Sequence, residues 1–500
     1  QSLHWVITAY SLTLAAFTIT GGRLGDLFGR KRMFLLGAVI FAIGSLIASN
    51  SHQVSTMIWG ESIIEGIGAA LMMPATSSLL VSTFQGRERA IAMGVWGGIA
   101  AAASAVGPIL GGYLTTHYSW RWGFRINVAV AAIILIGSFL IKEYRDREEK
   151  PSLDWVGVLL SSTGLLALVF GIIESSTYGW WKAKEVFHIA GQAIEFGNVS
   201  IVVPSLVMAA ILLVAFVLWE LRVAKQGMTP LVSMKLFANR QFTSGAMTTT
   251  IMSLGQAGLV FSIPIFFQAV RGLDAYHTGL AMLPASITAL LVAPFSAAVL
   301  TKRIAPKYLV QAGLLSFVVS VLWMQRSLSV ATTVDDLRWA FVLYGLGIGL
   351  VMAQVSNLTL SAVSVEEAGE ASGVSNTLRQ IGSSFGSAII GAVLLTALST
   401  NLANGVQNST IIPTSMKATI AAAVSSQTSN VEFGGGARLD QQVPPVITAE
   451  ITAISHQATV KANKQALQYA AIFSFLGFLV AFLLPKQKDV ERSTSVAATH

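Results

Sequence analysis

Thirteen long apolar stretches, separated by polar segments, set the plan of the chain. They run over about 4–22, 33–50, 56–81, 90–113, 123–141, 153–174, 201–219, 243–267, 277–300, 307–325, 337–360, 372–398 and 467–485. A helix needs about 20 residues to cross a bilayer, and these runs approach or exceed that length. Backbone groups cannot go unpaired in hydrocarbon, so a spanning segment is a helix or a barrel strand. The length of the runs and their lack of strict alternation predict helices.

The polar segments set the orientation. If the first stretch runs from outside to inside, most Lys and Arg fall in inside loops, among them Arg23, Arg30, Lys31, Arg32, Arg87, Arg89, Lys302 and Arg303. That is the bias expected of cytoplasmic loops. The count of crossings is then odd, and parity predicts a further helix ahead of Gln1. Residues 399–466, rich in Ser, Thr, Ala and Gln, read as one long outside segment, either a small cap or a mobile loop. Tyr178, Trp180 and Trp181 read as anchors at the membrane interface.

Composition agrees. Hydrophobic residues make up 53% and charged residues 11% of the 500, against roughly 25% charged in soluble domains, so most of the surface faces lipid. The net charge of +8 belongs to topology loops and does not point to nucleic acid. No cysteine is present, which removes disulfides, thiol chemistry and Cys-based metal sites. No spaced His pair suggests a metal, and no phosphate loop with Lys and Ser/Thr suggests ATP. Gly345, Gly347 and Gly349 lie within an apolar stretch with no strand ahead of them, so they are not a nucleotide site. No cofactor and no enzymatic activity are expected.

Three motifs carry chemistry. The first inside loop reads GGRLGDLFGRKR over 21–32, with glycines for a tight turn and a lone Asp among bases that can pair locally or face a helix N-terminus. Through Gly22, Leu24, Gly25, Asp26, Gly29, Arg30 and Lys31 it resembles the signature loop of the major facilitator superfamily; Leu27 stands where an Arg is usual. Residues 94–112 resemble that superfamily's antiporter motif through Gly94, Gly107, Pro108, Gly111 and Gly112, with Ala103 at the usual middle glycine. WVITAYSL, SWRWGFRINV, FVLWELR, Pro230 to Phe242, QAVRGLDAYHTGLAMLP and GEASGVSNTLRQIGSSFGSA resemble the fourteen-helix drug:proton antiporters, the multidrug efflux type.

The third motif departs from the family. In WGESIIEGIGAALMMPAT, residues 59–76, Ser62 stands where a buried Arg is usual, and Glu61 and Glu65 lie four apart. On an α-helix they would share one face, and acids within a membrane are functional candidates by default. Glu65, then Glu61, are candidates to carry a coupled proton, with Arg125 on the next helix but one as a possible ion-pair partner. Met73, Gln256, Gln354 and Asn357 are candidates to line a substrate cavity; Met72, Met252, Met352, Phe266 and Phe267 are more simply core.

The resemblance implies an all-α major-facilitator fold. Residues 1–141 would form a first bundle lacking its first helix, 142–220 a two-helix insertion, 221–485 a second bundle, and 486–500 a cytoplasmic tail. It implies a latch at Gly22, Asp26, Gly29 and Arg30 and proton-coupled efflux of amphipathic or cationic small molecules across the cell membrane. The expected partners are substrate, protons and lipid. An exporter or uptake symporter of one metabolite and a transport-inactive receptor or scaffold remain as alternatives.

Overall fold

The computed structural model describes residues 2–140, 153–189, 192–194, 196–417 and 444–485. Every predicted stretch is a helix. They are α1 (Ser2–Phe28), α2 (Arg30–Ser49), α3 (Val54–Thr83), α4 (Gly86–His117), α5 (Arg121–Gly137), α6 (Trp155–Tyr178), α7 (Val202–Lys225), α8 (Arg240–Ala269), α9 (Ala275–Ala298), α10 (Pro306–Ser327), α11 (Val334–Leu360), α12 (Ala368–Asn408) and α13 (Pro445–Val480). Among the described residues, 11 helices are long and apolar enough to cross a membrane; α1 and α4, of 27 and 32 residues, complete the set.

Local chemistry places the breaks. Gly29, with φ of 106°, reverses the chain between α1 and α2 in a region that side chains disfavour. Asp154, Asn239 and Asp274 accept from the first free amides of α6, α8 and α9, donors that otherwise lack partners. Pro306 opens α10, where its missing N–H costs nothing. Within α3, residues Ile58–Glu65 are wound as π-helix, a departure from regular winding that tends to mark functional sites.

Two cores organise the packing. Phe266, Phe267, Phe317 and Phe341 centre a large cluster among α8 to α13. A second cluster draws Ile19, Val81, Met93, Leu165, Phe216, Leu231, Phe242, Leu360 and Ala371 from both halves of the chain to the inner side. Helices α1 and α12, and helices α4 and α9, form the seam between the halves. Helix α6 packs on α1 and α12 as well as on α7, so α6 flanks the seam with α7 on its far side. On α7, Val207, Ile211, Val214 and Leu218 are each more than half exposed, an apolar stripe of helical spacing that suits lipid.

The outer segment differs from expectation. Helix α12 runs on to Asn408 and α13 starts at Pro445, so much of the expected loop 399–466 is helix. At 41 residues, α12 is about 60 Å long, twice the ~30 Å hydrocarbon core. Leu402 and Val406 pack with Ile412, Ile447 and Ile451 beyond it, and Ser409 Oγ donates to Glu450 Oε1 at 2.8 Å. Residues 418–443 and the expected tail 486–500 lie outside the described residues. The segment after α6 folds as a hairpin, β1 (Phe187–Ile189) against β2 (Gln192–Ile194). Phe187 packs edge-on against Phe170 and Tyr178.

Candidate functional site

The inner end of the seam is closed by one ion pair and its surroundings. Asp26, at the end of α1, accepts from Arg30 Nη2 at 2.8 Å and Nε at 3.2 Å. It also accepts from the backbone amides of Gly369 at 3.1 Å and Glu370 at 2.7 Å, the free donors at the start of α12. The lone Asp therefore does both things its motif allows. Arg30, buried to 1% exposure, donates to the carbonyls of Ser78 at 3.3 Å, Glu366 at 3.3 Å and, still closer, Val365. Gly22 is required by contact: a Cβ there would overlap the Gly369 carbonyl oxygen.

Other contacts extend this closure. Ser77 of α3 meets Ser372 of α12, Oγ to Oγ at 2.5 Å. Arg87 at the start of α4 donates to the Ala298 carbonyl at the end of α9 at 2.9 Å. A Cβ on Gly94 would lie 2.9 Å from the Ala293 carbonyl oxygen, and one on Gly112 would lie 2.8 Å from the Tyr276 nitrogen. Two glycines of the antiporter motif thus sit at close α4–α9 contacts, while Gly107 and Gly111 face open space. The side chain of Pro108 lies outside the described residues.

A strap joins the inserted helices to this closure. Between α7 and α8, the Ser233 amide donates to Glu370 Oε1 at 2.6 Å and the Val232 amide to Glu220 Oε2 at 3.4 Å. Trp219 Nε1 holds Asp154 Oδ2 at 2.8 Å. Glu370 therefore touches the strap through its side chain and Asp26 through its backbone.

The acidic pair of α3 lies farther out. Glu65, 5% exposed, accepts from Ser45 Oγ of α2 at 2.6 Å and from Asn127 Nδ2 of α5 at 3.1 Å. Both donors are neutral. Ser62 Oγ donates to the Val6 carbonyl of α1 at 2.7 Å. The Oε2 atom of Glu61 is buried with no hydrogen bond. The pair does not lie on a regular α-helix, because the π-wound segment ends at Glu65.

The sequence description of the Major Facilitator Superfamily matches residues 1–387. The chain belongs to that superfamily. It is 30% identical over 389 residues to the MFS-type transporter Rv1250 of Mycobacterium tuberculosis (strain ATCC 25618 / H37Rv), covering 77% of this chain and 62% of that protein. It therefore spans less than two thirds of that relative's length. It is 29% identical over 389 residues to the tetracenomycin C resistance and export protein of Streptomyces glaucescens, covering 78% of this chain and 68% of that one. The crystal structure of the human organic anion transporter MFSD10 (TETRAN) superposes with a TM-score of 0.55 over 96% of this chain and 83% of that one, at 13% identity; that likeness is one of fold.

As a major facilitator the chain is a multi-pass membrane protein, and its remaining candidate residues occupy different environments. Arg125 does not join the acidic pair: it is exposed, with its guanidinium over the Trp122 ring at 5.1 Å. Two residues along the same helix, Asn127 turns inward and supplies the contact to Glu65. Counting charges missed it, although it lies within the SWRWGFRINV motif. Met73 packs with Tyr10, Leu14 and Phe41. Gln354 is fully enclosed and donates to Ser296 Oγ at 3.2 Å, so it ties α11 to α9 and does not face an open cavity. Gln256 is half-buried beside the Tyr344 ring, without a hydrogen bond of good geometry to its hydroxyl. Asn357 is half-buried, with its Oδ1 enclosed and unbonded.

Proposed function

We propose that this major facilitator exports amphipathic small molecules by alternating access, with protons moving inward in exchange. The observation that carries the reading is the closed inner seam, in which Asp26 and Arg30 of one half hold the start of α12 in the other. Such a closure supports a cycle only if it opens, and bonds made across a seam are the ones a rocking motion must break. The halves 1–141 and 221–485 are the bodies that rock, with 142–220 riding beside the seam. The export named for the Streptomyces relative gives the direction.

Glu65, with Glu61 one turn away, is the group to which the reading assigns the exchanged proton. Its ligands are a hydroxyl and an amide, not a cation, so taking up a proton there strands no positively charged partner. Everted membrane vesicles carrying the protein test the proposal with a fluorescent amphipathic cation that also bears a free carboxylate. An acid interior should drive dye into the vesicles, and an uncoupler should stop it. Uptake no faster than in vesicles lacking the protein would remove the export reading. Uptake indifferent to the uncoupler would remove the proton.

A further inference from the structure

Among the described residues, helix α12 carries one cation that no acid answers. Arg379 lies ten residues beyond Gly369, about 15 Å along the helix from the inner closure and so near the middle of a ~30 Å core. Its partner among the described residues is Asn376, whose Oδ1 accepts from Nη2 at 3.1 Å. A guanidinium does not deprotonate in proteins, so this is a permanent charge at membrane depth with most of its five donors free.

The direction it faces follows from its neighbours. Ser372, Asn376 and Arg379 recur at helical spacing and share one stripe of α12. At the inner end of that stripe, Ser372 touches Ser77 of α3, across the seam. Seven residues farther out, about 10 Å along the axis, the same stripe points Arg379 toward the other half of the molecule. Asn376 is already committed: its Nδ2 donates to the Ser372 carbonyl at 2.9 Å and to Ser372 Oγ at 3.3 Å. That fixes the amide so that its oxygen braces the guanidinium. Arg379 keeps part of its surface accessible, the access that a ligand entering the seam would use.

We propose that Arg379 docks the anionic group of the molecules this protein carries, a carboxylate or an acid of similar charge. The inference rests on the export reading and narrows it: the cargo bears an acidic group besides its apolar body. A planar fork of N–H donors matches a carboxylate in a two-point contact, which a lysine ammonium cannot reproduce. A charge held in a membrane without a counter-ion is costly, and a bound anion relieves that cost. Asn376 is a positioning residue that aims the fork.

The test is equilibrium binding to the purified full chain, read by fluorescence polarisation. The probes are two rhodamine dyes that differ only in a free carboxylate or its methyl ester. Wild type should prefer the acid. Arg379→Gln should weaken the acid dye about tenfold or more, the scale of one charge-assisted contact, and leave the ester within about threefold. Arg379→Lys, which keeps the charge, should retain part of the preference and serves if the Gln variant does not fold. Asn376→Ala should reduce the preference without changing ester affinity. No binding of the acid dye to wild type, an equal loss of both dyes, or no change in either overturns the proposal. No gradient is used, so selective binding alongside failed vesicle export would sink the export reading and leave the site standing.

Discussion

Asp26→Asn is the substitution whose outcome the geometry fixes most closely. Asp26 accepts two bonds across the seam, from the amides of Gly369 and Glu370, and one pair of bonds from Arg30. Arg30 stands on the same side of the seam as Asp26, so to first order their pairing survives opening and cancels. The two amide bonds do not. Hydrogen bonds to a charged acceptor contribute about 1.5–3 kcal/mol each and neutral ones about 1. Asparagine keeps one oxygen acceptor and no charge, so the closed state should lose about 2–5 kcal/mol, a shift of roughly 30-fold to several-thousand-fold in the closed-to-open ratio. The absence of native cysteine makes the assay direct. Ser372, 1% exposed against Ser77, becomes Ser372→Cys in both backgrounds. A hydrophilic maleimide is then added from the inner side. Labelling should be slow with Asp26 intact and at least about tenfold faster in the Asp26→Asn background, a bound set below the low end of that shift. Equal labelling rates in two equally stable proteins would refute the argument, because the seam would not depend on those bonds.

Glu65→Gln should abolish the effect of a proton gradient on vesicle uptake while dye binding stays measurable; undiminished gradient-driven uptake would place the coupled proton elsewhere. The amide can donate to Ser45 Oγ and accept from Asn127, but it exchanges bonds to a charged acceptor for neutral ones, at a cost of about 1–3 kcal/mol, readable as lower thermal stability. Leu402→Ala removes a side chain buried in the outer helical pair and should cost about 2–5 kcal/mol of local packing, speeding proteolysis outside the membrane while transport continues. Asp274 caps α9, and its bonds from the His277 amide and ring hold its carboxyl below the ordinary carboxylate range. A lowered value means that the cap stabilises fully above about pH 4 and is lost as pH falls through the folded value. Melting of Asp274→Asn, which keeps a cap, should lose that acid-side dependence.

The spanning helices were legible because lipid imposes a hydropathy signal on each of them. What a hydropathy reading cannot see is a helix outside the bilayer. The outer ends of α12 and α13 are built from Asn, Gln, Thr and Ala, and only Leu402, Val406, Ile447 and Ile451, at four-residue steps, betray a packed face. The latch was legible for the opposite reason, since a tight glycine turn with one acid leaves few geometries. The surroundings of Glu65 were not. Charge counting proposed Arg125, but an acid in a membrane can be satisfied by hydroxyl and amide donors, and Ser45 and Asn127 carry no charge to notice. The π-winding of Ile58–Glu65 has no compositional mark at all. The strap from Leu231 to Ser233 was visible only as part of a family resemblance, because backbone amides donate whatever side chain they bear.

The length of α12 changes how far its outer end must travel. Its inner tip, where Gly369 and Glu370 meet Asp26, is released when the seam opens, and the helix extends about 60 Å from that point. Rocking that opens the inner seam makes it a lever pivoting near the membrane midplane, about 15 Å from that tip and about 45 Å from the other. A tilt of about 10° would move the inner tip by only about 2–3 Å, yet sweep the far tip by about 8 Å. Because α13 is packed along the same outer reach, the outer ends of both helices swing together. One dye placed there and one at the outer end of the other half would read the cycle with several times the displacement available at the binding level.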